Sequence, residues 1–336
     1  MAEWITREGG KTTFRYMRKG DTPVRDKRTL DRIRMLAIPP AWTSVHIAAS
    51  ASAAVQAWGL DAKERKQYRY HSLAVARGQL RKYYRMRELA KELPVLRQRV
   101  RTHAASRTTS RRAAAAAVVR LISESFFRIG GEKYAAENKT FGIATLRKRH
   151  VQIADGRAVF TYVGKKSIRQ RQVVANRELT RLVKRYMNTP GARLFRYQDG
   201  TRWRDLTSRD VNTYLHETLG VGYSAKDFRT WGGTLRAATV LAELGAADSP
   251  TEATRNVATT MRLVASELGN TPAICRSSYV HPLVVARYVD DGEIIKLPPR
   301  YESRADAYAH SPEERALIRF LDRHFPERRR RAREKS

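Results

Sequence analysis

Hydrophobic and polar positions follow two different patterns along the chain. Up to about residue 70, short segments such as Lys11–Met17 and Ser44–Ala48 alternate or favour β-branched and aromatic residues, with Gly-Asp and Pro-Pro between them. This pattern predicts strands, with one short helix near Lys27–Leu36. Because the pattern changes within residues 70–82, we predict a small β-rich domain at residues 1–78.

The pattern lengthens into helices from Leu73 onward. Ser110–Phe127 is the clearest helix, because Ser110 can cap it, alanine favours it, and its larger apolar residues recur at spacings of three and four. We therefore predict a mainly helical domain at residues 79–325 and a basic tail at residues 326–336. Further helices are predicted at Asn176–Tyr186, Ser208–Thr218, Asp227–Leu244 and Glu252–Glu267.

One segment within the helical part reads as strands. His150–Val174 contains three β-rich stretches separated by an Asp155-Gly156 turn and by Gly164-Lys165-Lys166. It predicts three antiparallel strands with Lys165 at a hairpin tip. The fold class is therefore α+β, with a small β-rich domain and a larger, mainly helical domain that contains this three-stranded sheet.

The charge of the chain indicates a polyanionic partner. Lys and Arg total 66 against 33 Asp and Glu, and Arg81–Arg120 alone holds twelve basic and two acidic residues. Basic helices bind phosphates by releasing counterions. Duplex DNA, RNA and unspecific polyanions fit this charge equally well. With 42% apolar residues the chain can bury cores, which excludes a wholly disordered basic protein.

Several classes of protein are disfavoured. The longest apolar run, Ala113–Val119, is far below the roughly 20 residues of a membrane span, and Met1–Lys11 is charged where a signal peptide is apolar. Cys275 is the single cysteine, so an internal disulfide or a zinc cluster is not expected. Gly164-Lys165 lacks the other residues of a phosphate-binding loop. We expect a soluble, cytoplasmic protein without a metal or nucleotide cofactor.

Four polar residues stand in unusual local settings, although each alone is weak support for a function. They are Arg128 in FFRIGGEKY, Lys165 at its hairpin tip, Arg229 in AKDFRTWGGT, and Tyr279 in GNTPAICRSSYVHP. In this order they resemble the active site of the type IB DNA topoisomerases, in particular the small bacterial and poxvirus-like branch. The stretches RIGGEKYAAENKTFGIATLRKRHV, FTYVGKKSIRQ and GLDAKERKQYRYH are similar to that family as well. The resemblance covers nearly the whole chain.

The resemblance implies that Tyr279 attacks a backbone phosphodiester of duplex DNA, giving a 3′-phosphotyrosyl link and a free 5′-hydroxyl. Strand rotation and religation would then relax positive and negative supercoils without ATP or metal. A phenol with a pKa near 10 needs neighbouring cations, and Arg128 and Arg229 are suited to the phosphate oxygens. The family's glycine-lysine pattern selects Lys165, rather than Lys166, as the general acid.

Asn270 departs from many members of the family, which carry histidine at the matching position. An asparagine amide can donate a hydrogen bond to a phosphate oxygen but cannot act as an acid. His281 lies between Tyr279 and Pro282, so we expect it to be structural and to point away. We expect Cys275, one helical turn before Tyr279, to be buried.

The resemblance also implies DNA contacts outside this group. In a strand, Gln67 would lie on the side opposite to Tyr68 and Tyr70, so the segment could contact both base edges and phosphates. A β edge with tyrosines packed on lysine stems is the structural alternative. We expect the two domains of a monomer to close as a clamp around duplex DNA of the nucleoid. The expected contacts are Gln67, Tyr68, Tyr70, Lys133, Tyr134 and Lys226.

Two other functions remain open from the sequence. A tyrosine recombinase shares the chemistry, but recombinases usually carry His-x-x-Arg where this chain has Lys226-Asp227-Phe228-Arg229. That difference favours the topoisomerase. A DNA-binding protein without enzymatic activity would also account for the charge.

Overall fold

Two structural units divide the chain, residues 1–82 and 83–336, in the computed structural model. The structure describes residues 3–10, 13–220, 222–297 and 308–325. The first unit is rich in strands and the second is mainly helical, so the α+β class is confirmed. The domain boundary predicted after residue 78 lies within one continuous helix, Ser72–Ala104, and stays a prediction. The predicted basic tail lies outside the described residues.

A six-stranded antiparallel sheet forms most of the first unit, in the order β3-β2-β1-β4-β5-β6. Ile5, Ile47 and Ala57 from this sheet pack in one buried cluster with Ile33 of α1. Asp26 caps that helix by accepting from the Thr29 N–H, which ends the chain's strand geometry there. The elements are β1 Trp4–Gly9, β2 Phe14–Arg18, β3 Thr22–Pro23, α1 Lys27–Met35, β4 Thr43–Ala48, β5 Val55–Leu60 and β6 Lys66–Tyr70.

The core of the second unit is built around α3. The residues of Ala113–Val119 are all buried, so this helix is apolar on every side and needs partners all round. Ser110 caps it as predicted, by accepting from the Ala113 N–H. None of the described helices is long and apolar enough to span a membrane. The helices are α2 Ser72–Ala104, α3 Arg111–Ser125, α4 Glu132–Glu137, α5 Arg177–Met187, α6 Ser208–Leu219, α7 Ala225–Leu244, α8 Pro250–Leu268, α9 Pro272–Ser278, α10 Pro282–Asp291 and α11 Pro312–His324.

The predicted three-stranded antiparallel sheet is present, with strands β7 Val151–Ala154, β8 Arg157–Val163 and β9 Arg169–Val174. A single 3-10 turn, Lys165–Ser167, joins the last two strands, so Lys165 lies at the hairpin tip as predicted.

A second, two-stranded sheet is not predicted from the sequence. Its strands, β10 Arg196–Asp199 and β11 Arg202–Asp205, flank a turn at Gly200. These strands are short and carry many charges, so they lack a hydrophobic alternation.

Much of the basic stretch around α2 and α3 forms ion pairs within the protein. Arg97 donates two hydrogen bonds to Glu314 of α11, and Arg85 pairs with the buried Asp227 at the start of α7. Arg120 pairs with Glu178 of α5. The interpretation of this stretch as phosphate-binding helices is therefore corrected in part, because these arginines join helices to one another.

Two successive glycines on α7 allow close packing beneath the candidate site. A Cβ at Gly232 would lie well under 3.0 Å from the ring of Phe126, and one at Gly233 would lie 2.9 Å from the carbonyl oxygen of Tyr279. Phe126 ends α3 in the left-handed conformation, with φ of 53°. The WGGT sequence thus lets the end of α3 and the backbone of Tyr279 approach the same helix.

We predict that Gly232→Ala destabilises the protein by roughly 1 to 3 kcal/mol, because the added methyl group overpacks the site against Phe126. Gly78→Ala is the matched control, since Gly78 also lies in a helix but a Cβ there meets nothing within 4 Å. This control should be neutral or stabilising by up to about 1 kcal/mol. Differential scanning calorimetry of both variants measures the effect, and equal stability of Gly232→Ala and wild type would contradict the packing argument.

Candidate active site

The backbone of Tyr279 is held from both sides. Its N–H donates to the carbonyl of Cys275 in α9, and its carbonyl lies 3.2 Å from the Thr234 hydroxyl, whose single proton can also reach the Thr230 carbonyl at 2.8 Å. The same hydroxyl accepts from the His281 N–H at 3.0 Å. Thr234 of α7 therefore fixes the backbone around the half-buried tyrosine. The sequence analysis gave no role to Thr234, although it lies in the KDFRTWGGT stretch.

Arg229 lies beneath the tyrosine ring. Its guanidinium carbon is 5.1 Å from the ring centroid of Tyr279, and its side chain is almost fully buried. It donates to the carbonyl of Phe126 at the end of α3, and at 2.7 Å to the carbonyl of Leu268 at the end of α8. Carbonyls at helix C-termini carry partial negative charge and suit a cation. Arg229 thus joins the ends of two helices under the candidate nucleophile.

Arg128 reaches the same end of α8 from the loop after α3. It donates to the Gly269 carbonyl at 2.8 Å and to Oδ1 of Asn270. Its own carbonyl accepts from the Ile143 N–H at 2.8 Å, where Gly142 lets two backbone segments approach without space for a Cβ. The guanidinium therefore projects from a tightly packed piece of backbone.

The amide of Asn270 has a defined orientation. An arginine can only donate, so the contact with Arg128 identifies the oxygen side of the amide. The Nδ2 group is buried and has no hydrogen-bond partner among the described residues, and the adjoining Cys275 thiol is only a weak acceptor. This amide donor therefore lacks the acceptor that buried polar groups normally have.

The cations around Tyr279 change its ionisation. Burial alone would raise the pKa of Tyr279, but the charge and hydrogen bonding of Arg229, with the charges of Arg128 and Lys226, outweigh it and lower the pKa below the usual phenol value. Tyr162 lies near the same arginines, yet its deeper burial raises its pKa to about 12. Of these two phenols, Tyr279 is therefore the one whose ionisation is favoured by its surroundings.

The general-acid candidate, Lys165, takes no part in these contacts. Lys165 is exposed at the hairpin tip and makes no hydrogen bond or ion pair with the described residues. Lys166 beside it has a left-handed backbone, with φ of 61°. The structure therefore brings Tyr279, Arg229, Arg128 and Asn270 into contact and leaves the Lys165 side chain open to solvent.

Three of the predicted DNA contacts lie on exposed helix surfaces of the second unit. Lys226 is exposed on α7, one turn before Arg229. Lys133 and Tyr134 are exposed on α4, where the Lys133 ammonium is 3.9 Å from Glu137.

The other three lie on β6 of the first unit. Tyr68 and Tyr70 are exposed on one face of this strand with their ring centroids 5.8 Å apart. Gln67 is on the opposite side as expected, but its amide donates to Asp61 at 3.0 Å. One of the two N–H groups of that amide is therefore engaged within the protein.

His281 and Cys275, for which the sequence predicts no catalytic role, are both buried. His281 caps α10 by accepting from the Leu283 N–H, and its ring centroid lies 4.3 Å from that of Tyr83. Cys275 is fully buried, as expected, and burial raises the pKa of its thiol to about 11.

Two families of DNA topoisomerases match parts of the chain. Residues 71–296 match the family described as eukaryotic DNA topoisomerase I, catalytic core. The chain belongs to the type IB DNA topoisomerase family. Residues 13–61 match the N-terminal domain of bacterial DNA topoisomerase IB. The chain is therefore a DNA topoisomerase, an isomerase that acts on DNA, and the topoisomerase interpretation is confirmed over the recombinase.

Viral type IB topoisomerases are among its relatives. The DNA topoisomerase 1B of Acanthamoeba polyphaga mimivirus is 29% identical over 301 residues, which cover 87% of this chain and 90% of the relative. The DNA topoisomerase 1B of vaccinia virus strain Copenhagen is 28% identical over 182 residues, or 52% of this chain and 54% of the relative. The monkeypox virus DNA topoisomerase I matches to the same extent.

We predict that removing Arg128 raises the pKa of Tyr279, because a nearby positive charge favours the phenolate and its loss favours the neutral phenol. The tyrosinate absorbance of each protein, minus that of the same protein with Tyr279→Phe, isolates this one phenol during a pH titration. Arg128→Ala should shift the titration upward, Lys226→Ala should shift it less, and the exposed control Arg149→Ala should not. An unchanged curve for Arg128→Ala would show that the arginine does not act on the phenol.

Proposed function

We propose that Tyr279 is the nucleophile of this topoisomerase. The observation that carries the proposal is the position of its ring over Arg229, in a group of cations that lowers the pKa of the phenol. The Tyr279 phenol loses its proton to water, its oxygen attacks a backbone phosphorus, the bond from phosphorus to the 5′-oxygen breaks, and a 3′-phosphotyrosyl link forms. Attack by the 5′-hydroxyl on that link reseals the strand and frees the tyrosine.

Arg128, Arg229 and Asn270 hold the phosphate in this proposal. Each guanidinium has five N–H donors, and only some of them are used by the carbonyls at positions 126, 268 and 269. The remaining donors and the unpartnered Asn270 Nδ2 can bind the non-bridging oxygens as charge builds on them. These groups are fixed by helix ends before DNA arrives, so little reorganisation is needed.

Lys165 protonates the departing 5′-oxygen in the cleavage step and takes the proton back during religation. An arginine cannot lose a proton at neutral pH, whereas a lysine can. The exposed hairpin tip leaves the Lys165 ammonium without a partner among the described residues, so DNA can supply one. The energy of the phosphodiester is kept in the phosphotyrosine, so the proposed cycle uses neither ATP nor a metal ion.

The protein acts as a monomer that closes around duplex DNA of the nucleoid. Support comes from the net charge of +33 and from exposed basic or aromatic side chains on both units. Binding should therefore weaken steeply with salt. The proposed contacts are Gln67, Tyr68, Tyr70, Lys133, Tyr134 and Lys226.

We predict that Tyr279→Phe binds DNA nearly as tightly as wild type but neither forms a covalent adduct nor relaxes plasmid, because only the attacking hydroxyl is lost. Filter binding, trapping with denaturant, and plasmid relaxation in EDTA without ATP measure these properties. Tyr197→Phe is the matched control and should retain all of them. Relaxation by Tyr279→Phe would remove this tyrosine from the nucleophile role, and loss of wild-type activity in EDTA would contradict the metal-independent cycle.

A separate prediction distinguishes the two adjacent lysines. Lys165→Ala should slow cleavage of an ordinary strand by roughly 10²-fold or more, and a 5′-bridging sulfur should restore the rate, because a thiolate leaves without a proton. Lys166→Ala should change either rate little. Single-turnover cleavage at a site mapped with the wild-type protein provides the measurement. Rescue only in Lys166→Ala, or equal loss and rescue in both variants, would assign the acid to a different lysine.

A further inference from the structure

Gln170 is a buried amide in a strand whose neighbouring positions are charged. It lies on β9 with only 6% of its surface exposed, whereas Arg169 and Arg171 on either side are exposed. Its Nε2 group is 3.5 Å from the Ile168 carbonyl, at the outer limit of a hydrogen bond. Such a weak contact does not account for burying an amide, so its packing has to be considered.

Two glycines adjoin the Gln170 side chain, and neither has space for a methyl group. A Cβ at Gly164 would lie 2.8 Å from Cγ of Gln170, and a Cβ at Gly269 would lie well under 3.0 Å from its Oε1. Gly164 immediately precedes Lys165, and Gly269 immediately precedes Asn270. The side chain therefore fills the space between the general-acid hairpin and the end of α8.

The end of α8 that Gln170 touches is the one that holds Arg128. The Gly269 carbonyl accepts from Arg128 at 2.8 Å, and Gly269 itself closes the helix in the left-handed conformation, with φ of 58°. Because Gln170 packs against Gly269, the size of its side chain affects the distance between the hairpin and the residues that would bind the phosphate, Arg128 and Asn270.

A second glutamine attaches the hairpin further from its tip. Gln172 donates to the Ser125 carbonyl at the end of α3 at 3.3 Å and accepts from the Tyr162 hydroxyl at 2.9 Å. This contact holds the body of the hairpin, whereas Gln170 lies next to the tip. Backbone hydrogen bonds also hold the two strands near the tip, from the Phe141 N–H to the Val163 carbonyl and from the Gly164 N–H to the Ile168 carbonyl, both at 2.8 Å. The Lys165 side chain itself makes no hydrogen bond with the described residues.

We infer that Gln170 is a positioning residue that sets Lys165 at its working distance from Arg128 and Asn270. The inference rests on the proposed role of Lys165 as the general acid. Gln170 acts as a spacer, through Cγ on the hairpin and the amide on Gly269. Shortening it lets the tip move relative to the phosphate site, and a displacement near 1 Å can cost on the order of 10²-fold in rate.

The test compares single-turnover cleavage of an ordinary strand with that of a strand carrying a 5′-bridging sulfur. Gln170→Ala should slow the ordinary reaction by about 10- to 10²-fold and should be largely rescued by sulfur, with DNA binding unchanged. Adding Gln170→Ala to Lys165→Ala should slow cleavage no further, because both changes remove the same proton transfer. Gln152→Ala, an exposed glutamine of the same sheet, is the matched control.

Gln170→Met keeps the length of the side chain and should retain most of the rate, as a spacer role requires. If calorimetry shows that Gln170→Ala does not fold, Gln170→Asn takes its place. This variant should slow cleavage of the ordinary strand selectively as well, by a smaller factor. Equal slowing on both substrates, or an additive double variant, would overturn the inference for Gln170 alone. Failure of sulfur to rescue Lys165→Ala would instead overturn the proposed acid, and this inference with it.

Discussion

The C-terminal end of α8 is the constraint on which the site depends. Two guanidiniums of like charge lie close together there, and the buried Arg229 has its pKa lowered by desolvation and by the charge of Arg128. Adjacent carbonyls at Leu268 and Gly269 accept from the two arginines and offset part of that repulsion. The carbonyls at this helix end therefore keep the guanidiniums of Arg128 and Arg229 close together despite their mutual repulsion.

Two chain segments converge on this helix end, and each brings a different part of the site. The loop after α3 carries Arg128, and Phe126 at the end of that helix supplies a carbonyl. α7 carries Arg229 and holds the backbone just after Tyr279 through Thr234. The glycines at positions 232 and 233 let α7 pack closely against Phe126 and against the backbone of Tyr279. A shift of α8 would thus move the arginines, Asn270 and the tyrosine support together.

Most of the regular structure follows from local patterns in the sequence. Ser110 and the alanine-rich run predict α3, and Asp155-Gly156 and Gly164-Lys165 predict the turns of the three-stranded sheet, because these signals act within a few residues. The pair β10 and β11 was missed because strands of four mostly polar residues have no hydrophobic alternation. The basic stretch was misread in part because a sequence does not show which carboxylates fold against it.

The candidate site was predicted differently. Arg128, Lys165, Arg229 and Tyr279 are identified through a family resemblance, since the local setting of each is by itself only weak support for a function. Gln170 and Thr234 were not found, because a buried amide or hydroxyl gains its role only from segments far away in the chain. The glycines around them were visible, but what approaches a glycine is decided by the fold.

Asn270 gives the proposed phosphate-binding group a constant charge. An imidazole at this position would gain or lose a proton between about pH 5 and 8, whereas an amide does not titrate in that range. The Nδ2 donor is therefore present at every physiological pH, and Arg128 keeps it turned the same way. In the proposed site, the contribution of this position to phosphate binding would therefore not depend on pH in that range.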